Sequence, residues 1–254
     1  MMVINLLQPS FQSLLIQPCF DGKELGTGTG FIVETQKGPC LITNRHNVTG
    51  RNNFTGECLR DDKAIPNEIN IFHNKKGVLG SWVLRKELLQ NDGINVWVEH
   101  PSFKDKADFV AIHLTQLDEV ELYPYDLSDS SNNIKLIPTD VLRIVGFPLG
   151  MSASGAGMVA IWVTGFVASE PDIDYQGLPA FLVDCRARQG QSGSPVIFHV
   201  NPGTMYRDGD SVKVLTSGMI TKFVGIYSGR IHKDSDIGIV WKRSAILELV
   251  NSVG

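Results

Sequence analysis

The chain has 254 residues, 43% of them apolar and 20% charged, the makeup of an ordinary globular protein and not of a disordered or fibrous one. A chain of this length buries roughly 70–75% of its unfolded surface and needs no disulfide or metal staples to fold. The formal net charge of −4 and the lack of any long Lys/Arg run argue against nucleic acid or an anionic membrane as partner.

In chain order, the opening MMVINLLQPSFQSLLIQPCF has no basic residue before Lys23 and is interrupted by Pro9 and Pro18. It is therefore expected to be mature protein rather than a signal peptide. Seven short apolar, β-branched runs follow between turn signals: FQSLLIQ, TGFIVET, CLITN, INIFH, WVLRK, NVWVE and FVAIHL. Each reads as a strand. A polar break near Ser128 to Asn133 leads to a second set: VLRIVGF, MVAIWVTGFV, AFLVDCR, SPVIFHV, VKVLTSG, TKFVGIYS and IGIVWK. The apolar stretch around Trp162 is too short to span a bilayer. The glycine-rich GMSASGAG lacks the Lys-Ser/Thr ending of a phosphate loop and reads as a mobile loop.

Helical periodicity is confined to the end, where Ser244 is expected to cap a helix that buries Ile246, Leu249 and Val250. The expectation is an all-β protein of two antiparallel six-stranded β-barrels, residues 1–130 and 131–254, closed by a C-terminal helix.

Four cysteines, Cys19, Cys40, Cys58 and Cys185, show no CxxC spacing and are expected to be reduced thiols packed as small apolar groups, which points to the cytoplasm. The sequon Asn47-Val48-Thr49 beside His46 points the same way, since a glycan there would crowd that histidine.

The chemistry gathers at ARQGQSGSPVI, Ala187 to Ile197. A serine hydroxyl is a poor nucleophile near neutral pH. It needs an imidazole to take its proton, a buried carboxylate to hold that imidazole, and donors for the oxyanion. His46 follows the apolar CLITN run, Asp108 opens DFVAIHL, and Ser192 sits between two glycines. Gly190 can adopt backbone angles closed to other residues, so that its amide and that of Ser192 face one point. Gly193 leaves that approach uncrowded, and Pro195 fixes the exit into a strand.

These residues resemble a chymotrypsin-like (trypsin-like) serine peptidase, most closely the bacterial high-temperature-requirement branch. Gly28 to Val33 followed by Leu41 to His46 resembles the strand pair leading to the catalytic histidine. Asp108 with its apolar run resembles the aspartate segment, and Val145 to Gly150 with Thr164 to Val167 the opening of the second barrel. Gly190 to Pro195 is similar to the nucleophile turn, Gly225 to Gly229 to the strand that pairs with substrate, and Gly238 to Trp241 to the last strand before the helix.

The resemblance implies an endopeptidase with catalytic His46, Asp108 and Ser192, and an oxyanion hole from the Gly190 and Ser192 amides. It implies a substrate pocket lined by Arg186, Gln189, Ser228, Gly229, Arg230 and Gly238, where Arg186 or Arg230 would favour an acidic residue before the cut. The expected partner is a protein or peptide substrate, with room for a regulatory protein. No cofactor and no metal is implied. Gln191 replaces the aspartate of zymogen-activated relatives, which disfavours that activation route, and Ser194 replaces their second glycine. The resemblance is expected not to extend to a PDZ-like domain.

Several rivals fit less well. An α/β-hydrolase needs alternating helices and the order Ser, Asp, His, which Asp210 and His232 alone do not supply. Cys185 lies outside the serine turn and reads as a strand residue. RDGDS reads as a hairpin tip rather than a calcium loop. His73, His100, His113, His199 and His232 are expected to be surface or hydrogen-bonded structural histidines. The remaining alternative is a latent or inactive peptidase-fold protein that binds peptides or a partner without cutting.

Overall fold

The structure, a computed structural model, describes residues 6–128, 133–153, 159–232 and 234–253. The expected boundary at 130/131 falls on residues 129–132, outside the described residues, and the glycine-rich stretch runs into 154–158, also outside them.

The second half is a closed antiparallel barrel in the order Val141–Gly146, Ile161–Val167, Ala180–Cys185, Ile237–Lys242, Ile220–Arg230, Pro195–Val200. These strands are six of the seven apolar runs read from that half. The seventh run supplies Ser211–Val214, which pairs with Met205–Asp208 in an exposed hairpin outside the barrel. All four residues of Ser211–Val214 are exposed, so its apolar content reflects strand propensity and not core membership.

The strands of the first half pair as one nine-stranded antiparallel sheet along Val120–Glu121, Glu68–Lys75, Ser13–Phe20, Gly28–Thr35, Gly38–Thr43, Val110–His113 and Val98–Glu99. Lys23–Glu24 is attached to Ser13–Phe20, and Trp82–Leu88 to Glu68–Lys75.

Strand alternation explains how this sheet is covered on both faces. Ile32 and Leu41 face one apolar cluster with Ile16, Ile71 and Val110. Phe31, Val33, Cys40 and Ile42 face another, shared with Val145, Phe147, Trp241, Ile246 and Leu249 of the second half. A strand buried on both faces reads as a continuous apolar run, which is why FIV and CLI show no alternation. Each fully buried Leu, Ile or Phe contributes about 1.5–3 kcal/mol. The shared cluster thus holds the two halves together, while a third, with Leu142, Phe181, Val183 and Tyr227, fills the barrel.

The C-terminal helix spans Arg243–Ser252 and buries Ile246 and Leu249 as expected, whereas Val250 is only half-buried. Ser244 lies inside its first turn; the capping position is Lys242, which makes no side-chain cap. The strand Ile237–Lys242 runs straight into the helix, leaving no room for a serine cap. Among the described residues, two short α-helices were not expected. Pro9–Gln12 takes the start of the FQSLLIQ run, so that strand begins at Ser13, and Arg45–Thr49 carries His46.

Candidate active site

The strand Val110–His113 pairs antiparallel with Gly38–Thr43, Val110 opposite Thr43. The end of one strand therefore adjoins the start of the other, which brings Asn44 to His46 against Asp108. Asn44 Nδ2 donates to the Asp108 carbonyl at 2.6 Å, and the His46 amide donates to Asp108 Oδ1 at 3.0 Å. With the backbone pinned, His46 Nδ1 reaches Asp108 Oδ2 at 2.7 Å. The Ser228 hydroxyl donates to the same Oδ2.

Asp108 is 1% exposed. A carboxylate so deep persists only with donors around it, and the His46 amide, the imidazole and Ser228 supply three. An imidazole that donates its Nδ1 proton to this carboxylate presents Nε2 as an acceptor, the tautomer a general base requires.

The serine turn owes its shape to two glycines. Gly190 has φ 91° and Gly193 φ 90°, the left-handed region that side chains resist. A Cβ on Gly190 would lie 2.4 Å from the Phe147 carbonyl oxygen, and one on Gly193 2.0 Å from that of Thr29. The first half of the chain fastens the turn. The Thr29 amide donates to the Ser192 carbonyl at 2.9 Å, the Thr29 hydroxyl to the Gly190 carbonyl at 2.8 Å, and Asn47 Nδ2 to the Ser192 carbonyl at 3.4 Å. Asn47 Nδ2 also donates to Thr43 Oγ1 at 2.9 Å, and that hydroxyl donates to the Thr29 carbonyl.

Sequence reasoning missed Thr29, Thr43, Asn44 and Asn47 as site residues. The one signal was Thr29 flanked by Gly28 and Gly30, since a Cβ on Gly28 would strike Asn47 at 2.8 Å. Asn47 is 7% exposed, so its sequon lies in the packed site.

Among the described residues, neither the Gly190 amide nor the Ser192 amide finds an acceptor inside the protein, although the amides of Gln191, Gly193 and Ser194 all do. His46, Gly190 and Ser192 line one cleft of about 330 Å³. The Ser192 hydroxyl makes no hydrogen bond to His46 or to any other described residue.

The expected substrate residues are dispersed. Gln189 is exposed and lines the cleft. Arg186 and Arg230 are exposed and neither lines it. Gly229 is half-buried, and Gly238 is buried opposite Arg230. The Ser228 side chain is 7% exposed and turned onto Asp108, so its hydroxyl supports the carboxylate and only its backbone is left for a substrate.

Gln191 is buried, its Oε1 accepting the Arg188 amide at 3.1 Å and its Nε2 unpartnered. Ser194 is buried against Gly146 with its hydroxyl unpartnered. The four cysteines are free thiols. Burial pushes Cys185 up to about 11, which keeps it a neutral thiol and no nucleophile.

The other histidines divide. His100 Nδ1 accepts the Ser102 and Phe103 amides, His113 meets Cys40, His199 bonds Thr221 at 2.8 Å, and His232 is exposed. His73 departs from expectation: it is 1% exposed and neither ring nitrogen has a partner. Among the described residues, no group of His, Cys, Asp and Glu is placed to hold a metal, and no helix is long and apolar enough to cross a membrane.

Two all-β halves, one of them a closed six-stranded barrel, with a histidine–aspartate pair and a glycine-flanked serine brought together between them, have the architecture of chymotrypsin-like proteins. The sequence pattern described as "Trypsin-like peptidase domain" matches residues 28–200, and the chain belongs to that family. The family implies a protein or peptide substrate.

No curated protein matches the chain in sequence. Among solved structures, the thermostable serine protease AL20 from an extremophilic microorganism is 11% identical with a TM-score of 0.53, the alignment covering 97% of this chain and 98% of that one. The serine endoprotease from Yersinia pestis is 13% identical with a TM-score of 0.52, over 96% of this chain and 66% of that one. At such identity these likenesses concern the fold.

Proposed function

We propose that the chain is a serine endopeptidase acting through an acyl-enzyme. His46 Nε2 takes the Ser192 proton as Oγ attacks the scissile carbonyl, and Asp108 holds the imidazolium that forms. The carbonyl oxygen, now negative, is met by the Gly190 and Ser192 amides. His46 returns the proton to the leaving nitrogen, the peptide bond breaks, and water repeats the sequence on the ester to release the acid.

The observation that carries this reading is the His46–Asp108 pair at 2.7 Å opening onto the same cleft as Ser192. The two acceptor-free amides of the serine turn support it. The test is labelling with a fluorophosphonate probe, located by mass spectrometry, together with hydrolysis of a peptide library. Label is expected on Ser192 and lost in Ser192→Ala, with kcat falling roughly 10⁴- to 10⁶-fold. Hydrolysis that survives Ser192→Ala would end the assignment.

A latent or binding-only protein is the second reading, favoured by the missing His46–Ser192 hydrogen bond. Silence of the probe on the wild type, with peptides bound and uncut, would select it.

A further inference from the structure

His46 hands its proton to the leaving nitrogen, so the peptide after the cut must run along the wall that carries His46. That wall is the one the cleft occupies. Apart from the serine turn, its lining comes from the first half of the chain, with Leu25, Leu59, Ala64 and Pro66 as apolar surface. Arg60 at its rim is engaged, donating to Asp62 at 2.9 Å and 2.8 Å and to the Leu25 carbonyl at 2.8 Å. A cleft of about 330 Å³ is at the small end of ligand sites and suits one large side chain.

The residue before the cut goes the other way, towards the Ile220–Arg230 strand. That strand is fastened to the serine turn where the Gly193 amide donates to the Tyr227 carbonyl and the Tyr227 amide to the Ser194 carbonyl, both at 2.9 Å. Beyond Ile226 its pairing with Pro195–Val200 stops, which leaves Ser228 to Arg230 an edge that an extended peptide can join. Gly238 stands opposite Arg230 on the neighbouring strand. Tyr227 is 2% exposed, and its ring lies so close to Gly238 that a Cβ there would be 2.4 Å from Cε2. Tyr227 belongs to the buried apolar cluster that also holds Val183, Cys185, Ala187 and Val240, and its hydroxyl has no nitrogen or oxygen partner.

Resting on the hydrolytic reading above, we propose that this protein selects its substrate on the leaving side of the scissile bond. Tyr227 restricts the residue before the cut to a small side chain, and the cleft at Leu25 and Leu59 takes a bulky apolar one after it. Arg186 and Arg230, both exposed, then play no part in selecting an acidic residue.

The full chain, first shown to label at Ser192 with the fluorophosphonate, is incubated with a proteome-derived peptide library and both sides of each cut are read by mass spectrometry. The wild type is expected to cut after Gly, Ala or Ser and before Leu, Phe or Met. Leu59 is 54% exposed, so Leu59→Asp leaves the core intact; it should lower the apolar enrichment after the cut about tenfold without changing the residue before it. Tyr227→Val should admit Leu and Phe before the cut, whereas Tyr227→Phe should not. Should Tyr227→Val fail to fold, the wild-type profile and Leu59→Asp decide alone. A labelled protein that cuts after bulky residues, that ignores Leu59→Asp, or that cuts nothing overturns this inference by itself. Absence of label overturns the hydrolytic reading and the inference with it.

Discussion

At the scale of single residues, two histidines show how surroundings decide what an imidazole does. His46 has a carboxylate on Nδ1 and a cleft beyond it, whereas His73 lies among apolar strands with no partner at all. Burial, with Arg85 adding repulsion, lowers His73 from 6.5 to about 4. The unfolded chain therefore takes a proton near pH 6.5 that the folded chain refuses until about pH 4. Stability from this residue is whole above the upper value and falls as the medium acidifies, by about 3 kcal/mol at the lower one. His73→Leu should flatten that decline, measured by denaturant unfolding at about pH 7 and about pH 4.5. An unchanged acid dependence in the variant would show that other groups set it.

At the scale of elements, the strand Gly28–Thr35 does more than pack. Through Thr29 it fixes the serine turn from the opposite half, the hydroxyl donating to the Gly190 carbonyl and accepting the Phe147 amide at 3.1 Å. Thr29→Val keeps the shape and strands both buried backbone groups, at roughly 1–3 kcal/mol each. Thermal unfolding should shift down, and fluorophosphonate labelling of Ser192 should slow at least tenfold; labelling at the wild-type rate would mean that the turn holds its own shape.

The same elements show what the sequence makes legible. The barrel strands stand out because burial forces apolar runs, and His46, Asp108 and Ser192 because each abuts such a run at a turn. The helix Arg45–Thr49 does not stand out, since at five residues it has no period and is held by Asn44 and Asp108 from outside. Thr29, Thr43 and Asn47 stay hidden because their partners lie on other strands or across the chain, a relation that local spacing does not encode. The turn of the Ser228 hydroxyl onto Asp108 stays hidden as well, because a bulge between Tyr227 and Gly229 breaks the alternation that predicts which way a side chain faces.

At the scale of the whole molecule, the two halves share one apolar cluster. Phe31, Ile42 and Phe109 from the first meet Val145, Phe147 and Trp241 from the second, and Ile246 and Leu249 of the terminal helix close it. Leu249→Ala should cost about 2–5 kcal/mol while unfolding remains a single transition, because both halves lose the same packing. Two separated transitions, by fluorescence and by circular dichroism, would show that the halves fold independently.

The fastening of Ser192 to Thr29 and Asn47 has a consequence for synthesis. On the hydrolytic reading, the N-terminal half emerges from the ribosome with an imidazole and an acid but no hydroxyl to arm, and the hydroxyl, made later, takes its seat against Thr29 and Asn47 of the half already made. A half-made chain would then be harmless to the nascent proteins around it, reactivity arriving only once the serine turn has docked.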